Sequence, residues 1–259
     1  MILLSNRVEN AEAITAAARA RGLQAEGFYA PNLTPEALPT RGAAHVVIGG
    51  NLQECAAALD AYVRSAAGLP AKITLWLDPK VEGLPQALNA PFSPTPLLLF
   101  DHNLAPRERV VLSVAWGVLA AETPGAAAPK GLLGKVSGAL KTASKLREEL
   151  SEDGPSVEAQ WSEGGERRAY DASFGLVAVR SVLGELTRGL VPSRAGALVV
   201  CLGRGAQREH WVQLADDFPS LTLRGIRGLA LDGEPHRMSA LDRVTLRPGP
   251  VVSLAIVQG

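Results

Sequence analysis

The stretch His45-Val-Val-Ile-Gly-Gly-Asn-Leu-Gln-Glu-Cys55 decides how the first half of the chain reads. His45 to Ile48 form a short apolar run of strand type, Gly49 and Gly50 turn it, and Asn51 followed three residues on by Glu54 has the spacing of a capping box. Cys55, Leu59, Tyr62 and Val63 then recur at helical spacing. The stretch is therefore a strand, a tight turn and a capped helix, one βα unit.

Reading outward toward the N-terminus, Ile2 to Leu4 is a short apolar strand. Asn6 with Glu9 gives a second capping box before an Ala-rich helix, which Arg19, Arg21 and Gly22 close by charge and by a left-handed final residue. Leu23 to Tyr29 is a further strand, followed by a short turn capped by Thr34 before Pro35. Toward the C-terminus, Ile73 to Leu77 is a buried-type strand ending in Asp78-Pro79, and Pro96 to Phe100 is a fifth ending in Asp101-His102-Asn103. Val110 to Leu119, apolar on most faces and containing Trp116, reads as the closing helix.

Strands alternating with helices imply a parallel sheet. The expected fold class is α/β, a five-stranded flavodoxin-like or receiver-like parallel sheet over residues 1–123, followed by a helical linker over 124–154 and a smaller mixed α+β domain over 155–259. A receiver needs an acidic cluster near its first strand and a phosphoacceptor Asp ending its third. Here those strands end in Ser5-Asn6-Arg7 and Gly49-Gly50-Asn51, so the reading is one of architecture and not of family.

Pro124-Gly-Ala-Ala-Ala-Pro129 breaks the pattern and marks the domain boundary. Leu132, Val136, Leu140, Ala143, Leu146 and Leu150 then return at helical spacing, with Lys130, Lys135, Lys141, Lys145 and Arg147 on other faces, which is a basic amphipathic helix. Such a helix docks on its own protein or on an anionic partner. Glu148, Glu149, Glu152 and Asp153 end it and weaken the case for nucleic acid.

In the second half, Val157 to Trp161 and Glu166 to Tyr170 read as a hairpin around Ser162-Glu163-Gly164-Gly165. A helix is expected from Asp171, buried through Phe174, Val177, Leu183 and Leu190. Ala197 to Leu202 is an apolar strand that Gly203-Arg204-Gly205 turns into a helix carrying Trp211, Leu214 and Phe218, which makes one parallel crossover. Strands at Leu221–Ile226 and Leu229–Leu231 follow. A terminal hairpin then joins Val244–Leu246 to Val251–Val257 through Arg247-Pro248-Gly249-Pro250.

Hydrophobic residues make up 47% of the 259 and charged ones 20%, the balance of a folded globular chain. Lys plus Arg equals Asp plus Glu at 26 each, so no whole-chain field draws the protein onto nucleic acid or an anionic surface. Cys55 and Cys201 lie in separate apolar elements and read as reduced core thiols. Met1-Ile-Leu-Leu-Ser5 lacks a basic leader, and no run approaches the roughly 20 apolar residues of a membrane span. The expected location is the cytoplasm.

Ligands of open α/β sheets sit at the carboxyl ends of the strands. The candidates there are Asn6, Gly49, Gly50, Asn51, Asp78, Asp101 and His102, beside Arg7 and Lys80. Gly49-Gly50 before a capped helix lets backbone amides approach an anion, or makes only a tight turn; the residues of a Walker loop or a dinucleotide fingerprint do not follow. Asp101 beside His102 could orient an imidazole, although strand neighbours point to opposite faces. Gly203, Arg204 and Gly205 offer amides and a guanidinium to a phosphate or carboxylate.

No complete catalytic, cofactor or metal motif is present. The expectation is therefore a non-enzymatic regulatory or scaffolding protein, acting through protein partners and self-association. The alternative is a sensor or enzyme that binds a nucleotide or phosphorylated small molecule, and a third reading is a nucleic-acid binder using the linker helix and the C-terminal arginines.

Overall fold

The computed structural model describes residues 1–35, 38, 43–65, 70–105, 107–117, 156–182, 198–204, 212–214, 218–226, 228–239 and 241–259. The linker helix expected at 124–154 lies outside them, as does the expected boundary at 123. The described chain divides into two compact units, Met1–Leu97 with Pro250–Gly259, and Leu98–Gly249.

The first unit carries the βα alternation. Its elements are β1 (Ile2–Ser5), α1 (Ala11–Arg19), β2 (Ala25–Phe28), β3 (His45–Gly50), α2 (Leu52–Arg64), β4 (Lys72–Leu77) and α3 (Leu84–Leu88). β1 pairs in parallel with β2 and β3, and β3 in parallel with β4. Ile2, Leu4, Val47 and Trp76 from the strands pack with Ile14, Ala18, Leu84 and Ala87 from the helices as one buried cluster. Each such Ile or Leu contributes about 1.5–3 kcal/mol through removal from water.

The capping box read at α2 is present: Glu54 N donates to Asn51 Oδ1 at 2.9 Å and Asn51 N to Glu54 Oε2 at 3.0 Å. The one read at Asn6 and Glu9 is not. Asn6 N donates to Phe28 O, which extends the strand pairing past β1, and α1 starts only at Ala11, behind Asn10 at φ 59° without a side-chain cap.

The strand beside β4 also departs from expectation. Leu254–Gln258, near the end of the chain, lies parallel to β4. Pro96–Phe100 instead belongs to a long strand, β5 (Ser93–His102), which pairs antiparallel with β6 (Arg109–Val111). The closing helix expected over Val110–Leu119 is replaced by β6 and β7 (Ser113–Trp116). An apolar run carries no period to separate helix from strand, and Val110, Val111 and Val114, stiff at χ1, favour the strand.

The second unit is largely antiparallel. β8 (Val157–Glu163) and β9 (Glu166–Ala172) form the expected hairpin, with Gly164 and Gly165 at φ 59° and 85° where a primed turn requires positive φ. Where the helix expected from Asp171 would begin lies strand β10 (Phe174–Val179), which is buried throughout and pairs on both edges, while Leu183 and Leu190 of that expected helix lie outside the described residues. β11 (Leu198–Gly203) runs antiparallel to β10 and to β12 (Val212–Leu214), so Leu214 lies in a strand and the expected parallel crossover does not form. With β14 (Gly228–Leu231) and β15 (Glu234–Arg237), these strands make a sheet ordered β12-β11-β10-β7-β14-β15.

β13 (Leu221–Arg224) pairs antiparallel with β8 and with the start of β16 (Arg243–Gln258). The expected terminal hairpin is absent, since β16 runs unbroken through Arg247-Pro248-Gly249-Pro250. Two prolines two residues apart lose their donors on one edge of a strand only, which a strand tolerates. Gly249 fills a close approach rather than a turn: a Cβ there would lie 2.8 Å from Leu99 Cγ.

Candidate functional site

In the first unit, the carboxyl ends of β1, β3 and β4 and the start of α2 enclose a cavity of about 500 Å³ lined by residues 7–10, Gly50, Asn51, Glu54 and residues 78–82. Gly50 is a glycine because of closeness and not because of φ: a Cβ would stand 2.8 Å from Glu54 Oε2 and 3.3 Å from Ser5 Cβ. Gly49 beside it does not line the cavity, and a Cβ there would press on Leu4 Cδ2 at 2.7 Å. Asp78 takes a left-handed conformation at φ 49°, and its amide donates to Gly50 O at 3.1 Å, which ties the β4 turn to the end of β3.

The electrostatics are mixed. Arg7 and Lys80 are the cations on the cavity wall, and Glu9, Glu54, Asp78 and Glu82 the acids. Glu54 is 4% exposed and is held by the Asn51 amide, with Arg7 Nε 3.9 Å from its other oxygen. Arg7 itself is well exposed, so that ion pair is weak, and its guanidinium also lies 6.0 Å from the centre of the Tyr29 ring. The capping bonds use the amides of Asn51, Glu54 and Cys55. Those of Leu52 and Gln53, at the positive end of the helix dipole, stand outside the cap.

Gly50, Asn51 and Asp78 of the sequence candidates thus meet in one cavity. Asn6 does not line it; its Oδ1 packs against Gly27, where a Cβ would come within 2.7 Å. Asp101 and His102 end β5 and do not line it either. His102 Nε2 lies 3.3 Å from Asp242 Oδ2 but without hydrogen-bond alignment. The partner of His102 is therefore an aspartate 140 positions away and not its neighbour Asp101.

Gly203 ends β11 against Phe174, whose ring a Cβ would meet at 2.1 Å. Arg204 lies 3.9 Å from Asp171, both side chains being well exposed, and Gly205 lies outside the described residues. Gly203 is thus a packing glycine in an antiparallel sheet, and no helix N-terminus is described beside it.

The reading missed Glu9, Glu54 and Glu82 as cavity residues, although Glu54 was legible as a cap. It also missed Asp232, buried in the Asp232-Gly233 turn between β14 and β15 at φ 52° and 84°. Asp-Gly between two extended runs was the available signal. Asp232 Oδ1 accepts from Leu112 N at 2.7 Å and Ser113 N at 2.8 Å, and burial pushes its pKa up to about 7 against those bonds and the charge of Arg109.

A parallel sheet with helices, followed by antiparallel sheets, is the architecture of the diacylglycerol and NAD kinase folds. A diacylglycerol kinase from Bacillus anthracis str. Sterne superposes with TM-score 0.56 at 10% identity over 98% of this chain and 96% of its own. An NAD kinase from Archaeoglobus fulgidus in complex with ATP gives 0.51 at 10% identity over 97% and 92%. Yeast NADH kinase complexed with NADH gives 0.53 at 8% over 100% and 83%. No family model and no curated protein matches the sequence.

These likenesses correct the receiver-like, non-enzymatic regulatory or scaffolding expectation: the fold is shared with kinases, and it carries antiparallel sheets that a receiver-like layout lacks. Among the described residues no helix is long and apolar enough to cross a membrane, and no group of three or more His, Cys, Asp or Glu is placed to hold a metal ion.

Proposed function

We propose that the protein is a nucleotide-dependent enzyme of kinase type that receives nucleotide phosphates in the cavity beside Gly50 and Asn51. The observation that carries this reading is the convergence, in one cavity, of the α2 N-terminus, the Gly50 end of β3, and two cations on separate loops. Phosphate oxygens enter beside Gly50 and Asn51, next to the Leu52 and Gln53 amides that adjoin the cavity wall, Arg7 leaves its weak contact with Glu54 to join them, and Lys80 approaches from the β4 turn. Glu54 stays in place, because the Asn51 amide needs its carboxylate. A cavity of about 500 Å³ is within the usual range for small-ligand sites. The likeness to an ATP-bound kinase and an NADH-bound kinase supports the nucleotide as the ligand class.

Glu9, Asp78 and Glu82 repel an uncompensated polyphosphate, so binding is tighter when a divalent cation accompanies the nucleotide. Isothermal titration of the full chain with ATP, with and without magnesium, tests this. One-site binding strengthened by magnesium, and weakened about tenfold by Arg7→Gln with Lys80→Gln, is expected for the loss of charge-assisted contacts. Undiminished binding in the double variant removes this site. Release of ADP in the presence of a diacylglycerol or NAD acceptor then tests whether the bound phosphate is transferred.

A further inference from the structure

We propose that Leu104 and Leu241 form an apolar tip by which the second unit docks on the surface of an anionic phospholipid bilayer. Among the described residues they are the two most exposed large hydrophobics, at 72% and 89%. They stand on adjoining turns, the one after β5 and the one before β16. Arg243 N donates to Asn103 Oδ1 at 2.8 Å and Asn103 N donates to Arg243 O at 3.1 Å, so each leucine is within two residues of a bonded pair.

The turns are braced from behind. Ala105 N donates to His102 O, and Ser239 N donates to Asp242 Oδ2 at 2.6 Å while Asp242 N returns a bond to Ser239 O. Leu241 N donates to Ser239 Oγ, and His102 sits against the buried Asp242. The amides of Asn103, Ala105, Ser239, Leu241, Asp242 and Arg243 are thus engaged within the protein, and the exposed leucine side chains project beside them.

The charge around the tip is complementary to anionic headgroups. Arg107 and Arg243 are exposed beside the leucines. The nearby acids are engaged: Glu108 makes two close hydrogen bonds to Arg247, Asp101 is half-buried and acts on Arg247, and Asp242 is buried against His102. Apolar side chains flanked by arginines are what interfacial binding uses, with the hydrocarbon among the acyl chains and the cations at headgroup level. The size of the patch argues against a stable protein interface. Two leucines offer on the order of 250 Å², against roughly 800 Å² per partner for a standard interface. The proposal concerns the second unit and stands independently of the nucleotide cavity.

The test is cosedimentation of the full chain with vesicles of phosphatidylglycerol and phosphatidylcholine in equal parts, and with vesicles of phosphatidylcholine alone. The protein is expected to bind the first and not the second, more weakly as salt rises. Leu104→Ser with Leu241→Ser is expected to lower partition on the order of tenfold, and Arg107→Gln with Arg243→Gln to reduce it too. Val251→Ser, an exposed apolar residue outside the tip, leaves it unchanged, and near-ultraviolet dichroism verifies that each variant is folded. Failure of the wild type to bind the anionic vesicles overturns the proposal, as does a leucine variant that binds equally well. A concentration-dependent dimer abolished by the leucine changes also overturns it and gives the tip to a second copy.

Discussion

Asp232→Asn is predicted to remove a pH dependence from the stability of the protein. Asp232 is buried, accepts from two backbone amides with one oxygen, and has its pKa pushed up to about 7 by burial. Unfolded, the same carboxyl has its ordinary value of 3.8. The native state therefore holds a proton that the unfolded chain releases. The stabilisation is complete below about pH 3.8 and is lost as pH rises toward 7, beyond which the folded protein carries a buried charge. A gap of about three pKa units at 1.36 kcal/mol each sets an upper scale of about 4 kcal/mol. Asparagine keeps the oxygen that Leu112 and Ser113 bond and tolerates the left-handed turn, but does not titrate. Urea unfolding midpoints of both proteins, measured from pH 4 to pH 8, give the comparison. The variant is expected to gain steadily on the wild type, by up to about 4 kcal/mol across that range. A constant difference between the two proteins refutes the reasoning, and so does a difference that moves in favour of the wild type as pH rises.

The remaining predictions concern packing, capping and surface charge. Asn51→Ala removes the acceptor for Glu54 N and is expected to cost about 1 kcal/mol, read as a lowered thermal midpoint. In Gly175→Ala the added methyl would lie 2.1 Å from the Trp116 ring in the middle of a sheet, which should cost about 1–3 kcal/mol and change the near-ultraviolet dichroism of that tryptophan. Arg247→Ala breaks two close hydrogen bonds to Glu108, yet both side chains are more than a third exposed, so chemical denaturation should register less than about 1 kcal/mol. A larger loss would mean that Arg247 has a further role.

What the sequence made legible follows from where local rules and tertiary context agreed. The α2 cap and the Gly164-Gly165 hairpin each rest on chemistry contained within a few residues, and each formed, whereas Gly49 and Gly50, read as a turn, are the last residues of β3 and pair with β4. The failures are apolar runs. Val110–Trp116 and Phe174–Val179 lack a two-residue or helical period because they are buried throughout, and the pattern then leaves helix and strand undecided. Arg247-Pro-Gly-Pro250 has good turn residues, but a strand that changes partners along its length used them instead.

The site was half readable for the same reason. Gly50, Asn51 and Asp78 sit where any parallel sheet puts its ligands, and their convergence followed from strand order. Pairs such as His102 with Asp242 join residues far apart in the chain, and no local rule brings them together. Gly203-Arg204 looked like a phosphate turn because Gly, Arg and Gly follow an apolar strand, but Gly203 is used to pack against Phe174 in an antiparallel sheet.

The most direct test of the central claim is to follow the backbone amide resonances of isotopically labelled protein as ATP with magnesium is added. The account predicts that Leu52 and Gln53 shift most and saturate with a single affinity, followed by Gly50 and Lys80, and that these shifts shrink in the Arg7→Gln, Lys80→Gln variant. Saturable shifts confined to the second unit, or none at millimolar nucleotide, would contradict it.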